Sequence, residues 1–158
     1  MATMREIKRR RVSIQNTQQI TKAMKLVSTV KLQRAKTRAE NSKAYFKYMY
    51  KTITSMLAKA GNVNHPYVQG NGSKNVAVVT VTSNRGLAGG YNANIIKLVT
   101  GSDIAKEDAR IYSVGKKGAD GLARKGYQVV TENPDYIDEP TYAQAQELSR
   151  RLLNDFEK

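Results

Sequence analysis

The chain has 158 residues, no cysteine, one histidine and a formal net charge of +14 at pH 7. Without cysteine, disulfides, thiolate catalysis and cysteine-based zinc sites are excluded, and a single histidine is too few for a metal site of the usual kind. A sequence pI near 10.0 indicates an acidic partner, and the composition leaves open nucleic acid, anionic lipid or an acidic protein surface.

One long helix is predicted from Thr3 to Ala60, because this stretch contains no Gly and no Pro before Gly61. Thr3 and Glu6 have the T-x-x-E spacing of a capping box, in which each side chain satisfies an amide of the first turn. A helix of about 56 residues would be about 84 Å long, well beyond the diameter of a domain of this size. Residues 1–61 are therefore predicted to be a long basic coiled-coil helix.

The second half of this helix carries an apolar seam in which the steps alternate between three and four residues, as in a left-handed coiled coil. The seam consists of Leu32, Ala35, Ala39, Ser42, Phe46, Met49, Ile53, Met56 and Ala60. Its small residues favour close approach to a partner helix over a free-standing homodimer. The alternative is an amphipathic helix lying on its own globular domain, but a helix this long would extend past such a surface.

The positive charge is concentrated in the helix. Residues 1–59 contain 15 Lys or Arg against 2 acids, whereas residues 60–158 contain 12 against 11. The molecule is therefore polarised, and any acidic partner should meet the helix.

After a turn-rich connector at residues 62–74, residues 75–158 are predicted to form an α/β domain. Strands and helices alternate, which implies a parallel, Rossmann-like sheet with crossover helices. The predicted strands are 75–82, 110–114 and 128–131, and the predicted helices are 91–100, 119–125 and a last helix from 140 to 157.

Two glycine-rich turns follow the first two strands. The first contains Arg85, Gly86, Gly89 and Gly90, and it matches neither G-x-x-x-x-G-K-[ST] nor G-x-G-x-x-G. It is interpreted as a structural loop that turns tightly and brings a helix close to a strand. The second turn, at residues 115–118, also lacks the spacing of a phosphate loop and is interpreted as a turn with solvated lysines. No cofactor and no catalytic site are predicted.

Two other groups of residues are explained by local structure rather than by catalysis or metal binding. His65, beside Pro66, is interpreted as a turn residue because no partner for a general base is apparent. Asp135, Asp138 and Glu139 are interpreted as acidic residues before a helix N-terminus rather than as a cation site.

Two motifs resemble a known family. The run RRVSIQNTQQITKAMKLV at residues 10–27 closely resembles the signature of the gamma subunit of F-type ATP synthases, the central rotor shaft. SNRGLAGGY at residues 83–91 is similar to the glycine loop of that family, and HPY at residues 65–67 occurs in its bacterial members. The two longer motifs occur in the family's order, so the match is specific.

The resemblance implies a non-catalytic rotor subunit that couples ion flow through the membrane c-ring to ATP synthesis or hydrolysis. The N-terminal helix would pair with the subunit's own C-terminal helix inside a head of alternating alpha and beta subunits. The α/β domain would lie near the epsilon subunit, at the cytoplasmic face of the bacterial membrane. Family members are longer, so this chain is expected to be the N-terminal half, without its C-terminal helix.

The resemblance also implies that the basic helix face meets the catalytic beta subunits. The residues expected to do so are Lys8, Arg9, Arg11, Ile20, Lys22, Met24 and Lys25.

Two alternative functions are less well supported by the residues. A nucleic-acid-binding protein would use the basic residues on phosphates and Tyr45, Tyr48 and Tyr50 for stacking on bases. Phe46 and Met49 in the same stretch continue the apolar seam, so packing against another helix explains this stretch better than stacking on bases. A nucleotide-dependent enzyme is not favoured, because the sequence contains no nucleotide-binding motif.

Overall fold

The computed structural model describes residues 3–131, 137 and 139–157. The chain divides into two units, Met1–Val63 and Asn64–Lys158. The first unit contains one helix. The second contains a small parallel sheet with helices, so the predicted fold class, a long N-terminal helix followed by a parallel α/β domain, is confirmed.

Helix α1 extends over Met4–Lys59, which is 56 residues. The predicted capping box is present: the Thr3 amide donates to Glu6 Oε2 at 2.9 Å, and the Glu6 amide donates to Thr3 Oγ1 at 3.4 Å. Ala60 is the C-cap of the helix, and Gly61 follows with a φ of 66°. A non-glycine residue adopts this left-handed conformation at a cost, so Gly61 ends the helix.

The connector contains a short helix, α2 (Pro66–Gln69), where the sequence predicted only turns. Pro66 stands at the first helical position, where its fixed φ is favourable and its missing amide proton is not needed. His65 caps the helix, since its Nδ1 accepts a hydrogen bond from the Tyr67 amide at 3.3 Å.

The sheet of the second unit is parallel throughout and has the order β1-β2-β3. Its strands are β1 (Val76–Val81), β2 (Ala109–Val114) and β3 (Gln128–Thr131), and its helices are α3 (Tyr91–Thr100), α4 (Lys116–Ala123) and α5 (Tyr142–Phe156). The predicted elements are confirmed, most of them to within two residues.

The two faces of the sheet are covered by different helices. On the first face, Ile111 of β2 is buried against Leu122 of α4, and Val78 and Ile96 pack around them. Alternate residues of β2 point to the second face. There α5 is attached, because Asp155 accepts a hydrogen bond from the hydroxyl of the buried Tyr112 and forms an ion pair with a neighbouring β2 arginine.

The start of α4 differs from the prediction. The sequence placed this helix at residues 119–125, after a turn, whereas it begins at Lys116. Its first three amides donate to Asn84 Oδ1 at 3.0 Å, to the Ser83 carbonyl at 3.0 Å and to Thr82 Oγ1 at 2.8 Å. The loop after β1 therefore caps the helix from a distant part of the sequence.

Helix α5 also begins with a capping box. The Thr141 amide donates to Gln144 Oε1 at 2.8 Å, and the Gln144 amide donates to Thr141 Oγ1 at 3.4 Å. Asp135 and Asp138, weighed above as cation ligands, lie outside the described residues. Glu139 is described and exposed.

Candidate functional site

The largest candidate interaction surface is α1 itself. None of its residues is buried. In the apolar seam, Phe46 is 61% exposed and Met49 is 39% exposed, and Leu32, Ala35, Ala39, Ile53 and Met56 are exposed as well. The coiled coil remains a prediction, and the structure provides an uncovered stripe on which a partner helix could pack.

The contact segment, defined as Ile20, Lys22, Met24 and Lys25, lies one third of the way along α1. At about 100° per residue, Ile20 and Met24 share one face and the two lysines share another, roughly 150° away. All four side chains are exposed. The helix therefore brings the residues together in two pairs, one apolar and one basic, that point in nearly opposite directions.

The other predicted contact residues, Lys8, Arg9 and Arg11, are exposed in the first two turns of α1. Their spacing distributes them around the helix instead of along one face. Together with Arg10, which lies on the remaining side, they give this end of α1 a positive charge all around, which suits a partner that surrounds the helix.

Threonines around the contact segment donate their hydroxyl protons to backbone carbonyls of the same helix. The hydroxyl of Thr17 donates to the Ser13 carbonyl at 2.9 Å, that of Thr21 to the Thr17 carbonyl at 2.8 Å, and that of Thr29 to the Lys25 carbonyl at 2.8 Å. Because such hydroxyls already have a partner, another protein can cover this surface without leaving donors unpaired.

The first glycine loop is held by hydrogen bonds of its own. Asn92 accepts from the Ser83 amide at 3.0 Å and donates to the Ser83 hydroxyl at 2.7 Å, and that hydroxyl donates to the Arg85 carbonyl at 2.6 Å. Gly89 has a φ of 56°, which favours glycine. Gly86 has open space around it. Gly90, the N-cap of α3, would meet only an ordinary contact, 3.6 Å from Asn94.

The second glycine turn has no free anion site, because the first amides of α4 are occupied by the loop after β1. Its Gly115 has a φ of 108°, and a Cβ there would lie 2.0 Å from the carbonyl oxygen of Thr82. Gly118 would meet the side chain of the same threonine at 2.8 Å. This packing role was not predicted from the sequence, although the G-x-x-G spacing was an available signal.

A groove of about 740 Å³ opens where the three strands begin, between the sheet and α5. Asp155 forms an ion pair with Arg110 at 3.1 Å, and Tyr67 donates to Glu157 at 2.5 Å. This hydrogen bond is the main reason why the pKa of the Tyr67 hydroxyl is raised above its usual value of 10.0. Ligand sites of parallel sheets lie at the opposite, carboxyl ends of the strands, so the groove is better explained as the seat of α5.

Within the described residues, no helix is both long enough and apolar enough to cross a membrane. Across the same residues, no cluster of three or more His, Asp or Glu side chains is arranged to hold a metal ion.

The chain is similar in sequence to known proteins of one described family. A family model described as ATP synthase matches residues 3–158. The ATP synthase gamma chain of Lachnoclostridium phytofermentans is 56% identical over 156 residues, which cover 99% of this chain and 54% of that protein. The chain belongs to the gamma-chain family of ATP synthases.

Other relatives in the gamma-chain family are more distant. The ATP synthase gamma chain of Heliobacterium modesticaldum is 35% identical over 158 residues, covering 100% of this chain and 54% of that protein. A relative named "ATP synthase gamma chain, sodium ion specific", from Acetobacterium woodii, is 34% identical over 151 residues, which cover 96% of this chain and 50% of that protein. The chain spans about half the length of the curated relatives it matches. None of these relatives supports the nucleic-acid alternative.

Proposed function

We propose that the chain provides part of the central rotor shaft of an F-type ATP synthase. In this role it couples ion flow through a membrane ring to ATP synthesis or hydrolysis in a head of alternating alpha and beta subunits. The observation that carries the proposal is α1, a 56-residue helix with no buried residue. Membership of the gamma-chain family agrees with it.

The two pairs of the contact segment support a rotary mechanism. Because Lys22 and Lys25 point away from Ile20 and Met24, a rotating helix presents a basic face to one catalytic subunit while an apolar face meets another. A conformation of a beta subunit is favoured only by a shaft face that binds it better than the alternatives. An asymmetric helix surface supplies this difference, and acidic segments of the beta subunits would pair with the lysines.

The apolar seam is proposed to pack against the C-terminal helix of the same subunit in the longer gamma chain. Its five large residues, Leu32, Phe46, Met49, Ile53 and Met56, are all exposed. Full burial of each such side chain contributes about 1.5 to 3 kcal/mol. The alanines between them permit the two helix axes to approach closely.

In this proposal the chain performs no bond chemistry. The epsilon subunit and the membrane c-ring are its further partners, and the complex lies at the cytoplasmic face of the bacterial membrane, with this subunit peripheral to it. The occupied amides at the start of α4 support the absence of a nucleotide site.

Copurification tests the assembly directly. A chimaera is made in which residues 1–158 replace the matching segment of the 56%-identical gamma chain of L. phytofermentans. The alpha and beta subunits should remain bound to it in moderate salt, whereas contaminating nucleic acid should be lost. Retention of nucleic acid without alpha and beta subunits would contradict the proposal.

Charge reversal tests the mechanism in the same chimaera. Lys22→Glu combined with Lys25→Glu should slow ATP-driven rotation by roughly threefold or more, from about 0.3–1 kcal/mol for each lost ion contact. The matched control is Lys116→Glu with Lys117→Glu, an equal charge change at two exposed positions of α4. Equal rotation rates in the two variants would count against the proposed contact.

A further inference from the structure

The connector contains the one Asn-Gly pair of the sequence, Asn71-Gly72. In such a pair the backbone amide of the second residue can attack the side-chain carbonyl of the first, because glycine has no side chain to obstruct the approach. Both residues are exposed and lie outside the helices and strands of the described chain. Neither burial nor regular structure therefore prevents the attack.

The amide nitrogen of Gly72 is available as a nucleophile. Gly72 has a φ of 67°, and no atom lies within 4 Å of the position that a Cβ would occupy. Among the described residues, no group accepts a hydrogen bond from the Gly72 amide. An amide inside a helix is instead held by the carbonyl four residues earlier and cannot turn toward a side chain. The nitrogen of Gly72 is both unhindered and free to reorient.

The side-chain carbonyl of Asn71 is polarised by a neighbouring amide. The Ser73 amide donates a hydrogen bond to Asn71 Oδ1 at 3.1 Å. Attack at Cγ places negative charge on this oxygen, and a donor already directed at it stabilises the charge, as in an oxyanion hole. The same hydrogen bond closes an Asx turn around Gly72, which keeps the carboxamide beside the nitrogen that attacks it.

We propose that Asn71-Gly72 is a self-modification site, at which loss of ammonia from the asparagine releases the connector from the end of α5. The Gly72 amide gives its proton to hydroxide, and its nitrogen forms a bond to Asn71 Cγ. The Cγ–Nδ2 bond breaks, and Nδ2 takes a proton from water and leaves as ammonia, which gives a cyclic succinimide. Water then opens either C–N bond of the imide, so the products are aspartate and isoaspartate. The proposal does not depend on the rotor function.

The carboxamide that is lost joins the connector to α5. Asn71 Nδ2 donates a hydrogen bond to the carbonyl of Phe156, the last residue of the helix, at 2.9 Å. A carboxylate has no proton to donate, and it would add negative charge to a groove that Asp155 and Glu157 already line. Modification therefore replaces a hydrogen bond with repulsion. In the isoaspartate product the backbone also gains a methylene group, which displaces the residues that follow.

Peptide mapping by mass spectrometry follows the modification. The protein is the chimaera in which residues 1–158 replace the matching segment of the L. phytofermentans gamma chain, incubated at neutral and at mildly alkaline pH. The peptide that contains Asn71 should show the mass change of an NH group replaced by oxygen, and it should separate into aspartate and isoaspartate forms. The rate should rise in proportion to the hydroxide concentration, because the Gly72 amide must lose its proton.

Two controls separate ring closure from direct hydrolysis. Asn71→Gln keeps the carboxamide and Gly72, but its longer side chain places the carbonyl out of position for closure of the smaller ring, and it should remain unmodified over the same period. Asn41, which precedes Ser42 within α1, should also remain unmodified because the helix holds the Ser42 amide. Hydroxylamine, which attacks a succinimide, should cleave the chain after Asn71 and leave the Asn71→Gln variant intact.

Hydrogen exchange tests the effect on α5. Asn71→Asp reproduces the charged product, and exchange at the amides of Phe156 and Glu157 should become about fivefold faster, as expected for one lost hydrogen bond. Amides in the middle of α5, at Ser149 and Arg150, are internal controls and should change less. The unaltered chimaera should show the same acceleration after prolonged incubation, whereas the incubated Asn71→Gln variant should not.

Three results would overturn the proposal. In the first, the peptide that contains Asn71 keeps its mass throughout the incubation. In the second, aspartate forms without isoaspartate, or Asn71→Gln is modified equally fast, either of which would indicate direct hydrolysis. In the third, exchange at the end of α5 is the same in the Asn71→Asp variant as in the unmodified chimaera. The chimaera could still copurify with alpha and beta subunits in each case, so the proposed function would be judged separately.

Discussion

Replacement of Gly115 by alanine should be among the most destabilising single changes in the second unit. The added Cβ would lie 2.0 Å from the carbonyl oxygen of Thr82 and 2.6 Å from its carbonyl carbon, and both are backbone atoms that a rotamer change cannot move. The φ of 108° adds strain of about 1–2 kcal/mol for a residue with a side chain.

Relief of this overlap would separate the turn from the loop after β1. The hydrogen bond from the Thr82 hydroxyl to the Gly115 carbonyl, 3.1 Å, and that from the Gly118 amide to Thr82 Oγ1, 2.8 Å, would both be weakened. At about 1 kcal/mol for each, together with the backbone strain, the expected loss is about 3–4 kcal/mol.

Urea unfolding followed by near-ultraviolet circular dichroism of the tyrosines measures this loss. Tyr112 and Tyr127 are buried in the second unit, so their signal reports on the sheet more directly than the helical signal that α1 dominates. The midpoint should fall by about 2 M urea. Gly86→Ala is the matched control, because nothing lies within 4 Å of its added Cβ, and it should change stability by less than about 0.5 kcal/mol. A Gly115→Ala protein as stable as this control would refute the packing argument.

Three further outcomes are expected. Titration with labelled ATP should show no saturable binding, and a micromolar Kd that Gly89→Val abolishes would contradict this. The pKa of Tyr67 is raised in the fold by its hydrogen bond to Glu157, so the stability from this bond should be complete below about pH 10 and lost as the pH rises through the raised pKa. Tyr67→Phe should remove this pH dependence in unfolding curves, and an unchanged alkaline decline would exclude the bond as its source. Asp155→Ala should cost about 1–3 kcal/mol because it removes the hydrogen bond from Tyr112 and the ion pair with Arg110. Glu147→Ala, which breaks an exposed ion pair, should cost less than about 1 kcal/mol in the same denaturation assay.

Most of the secondary structure followed from local signals in the sequence. The capping boxes at Thr3 and Thr141 depend on residues three positions apart, and α1 continues because no Gly or Pro interrupts it before Gly61. The alternation of strands and helices predicted a parallel sheet because parallel strands need crossover connections. The contact segment also came from the sequence, by resemblance to the gamma-chain family, and its role remains a prediction.

Features that depend on distant pairs were decided only by the tertiary structure. The start of α4 was predicted three residues too late, because the groups that cap it, from Thr82 to Asn84, lie more than 30 residues earlier in the chain. Glycine is required at position 115 for the same reason, because the residue it packs against, Thr82, is distant in the sequence. By contrast, the separation of lysines from apolar residues around α1 can be predicted from helix geometry alone. Which face of the sheet α5 covers follows from the attachment of Asp155 to β2. No local spacing encodes that attachment, since it joins residues more than 40 positions apart.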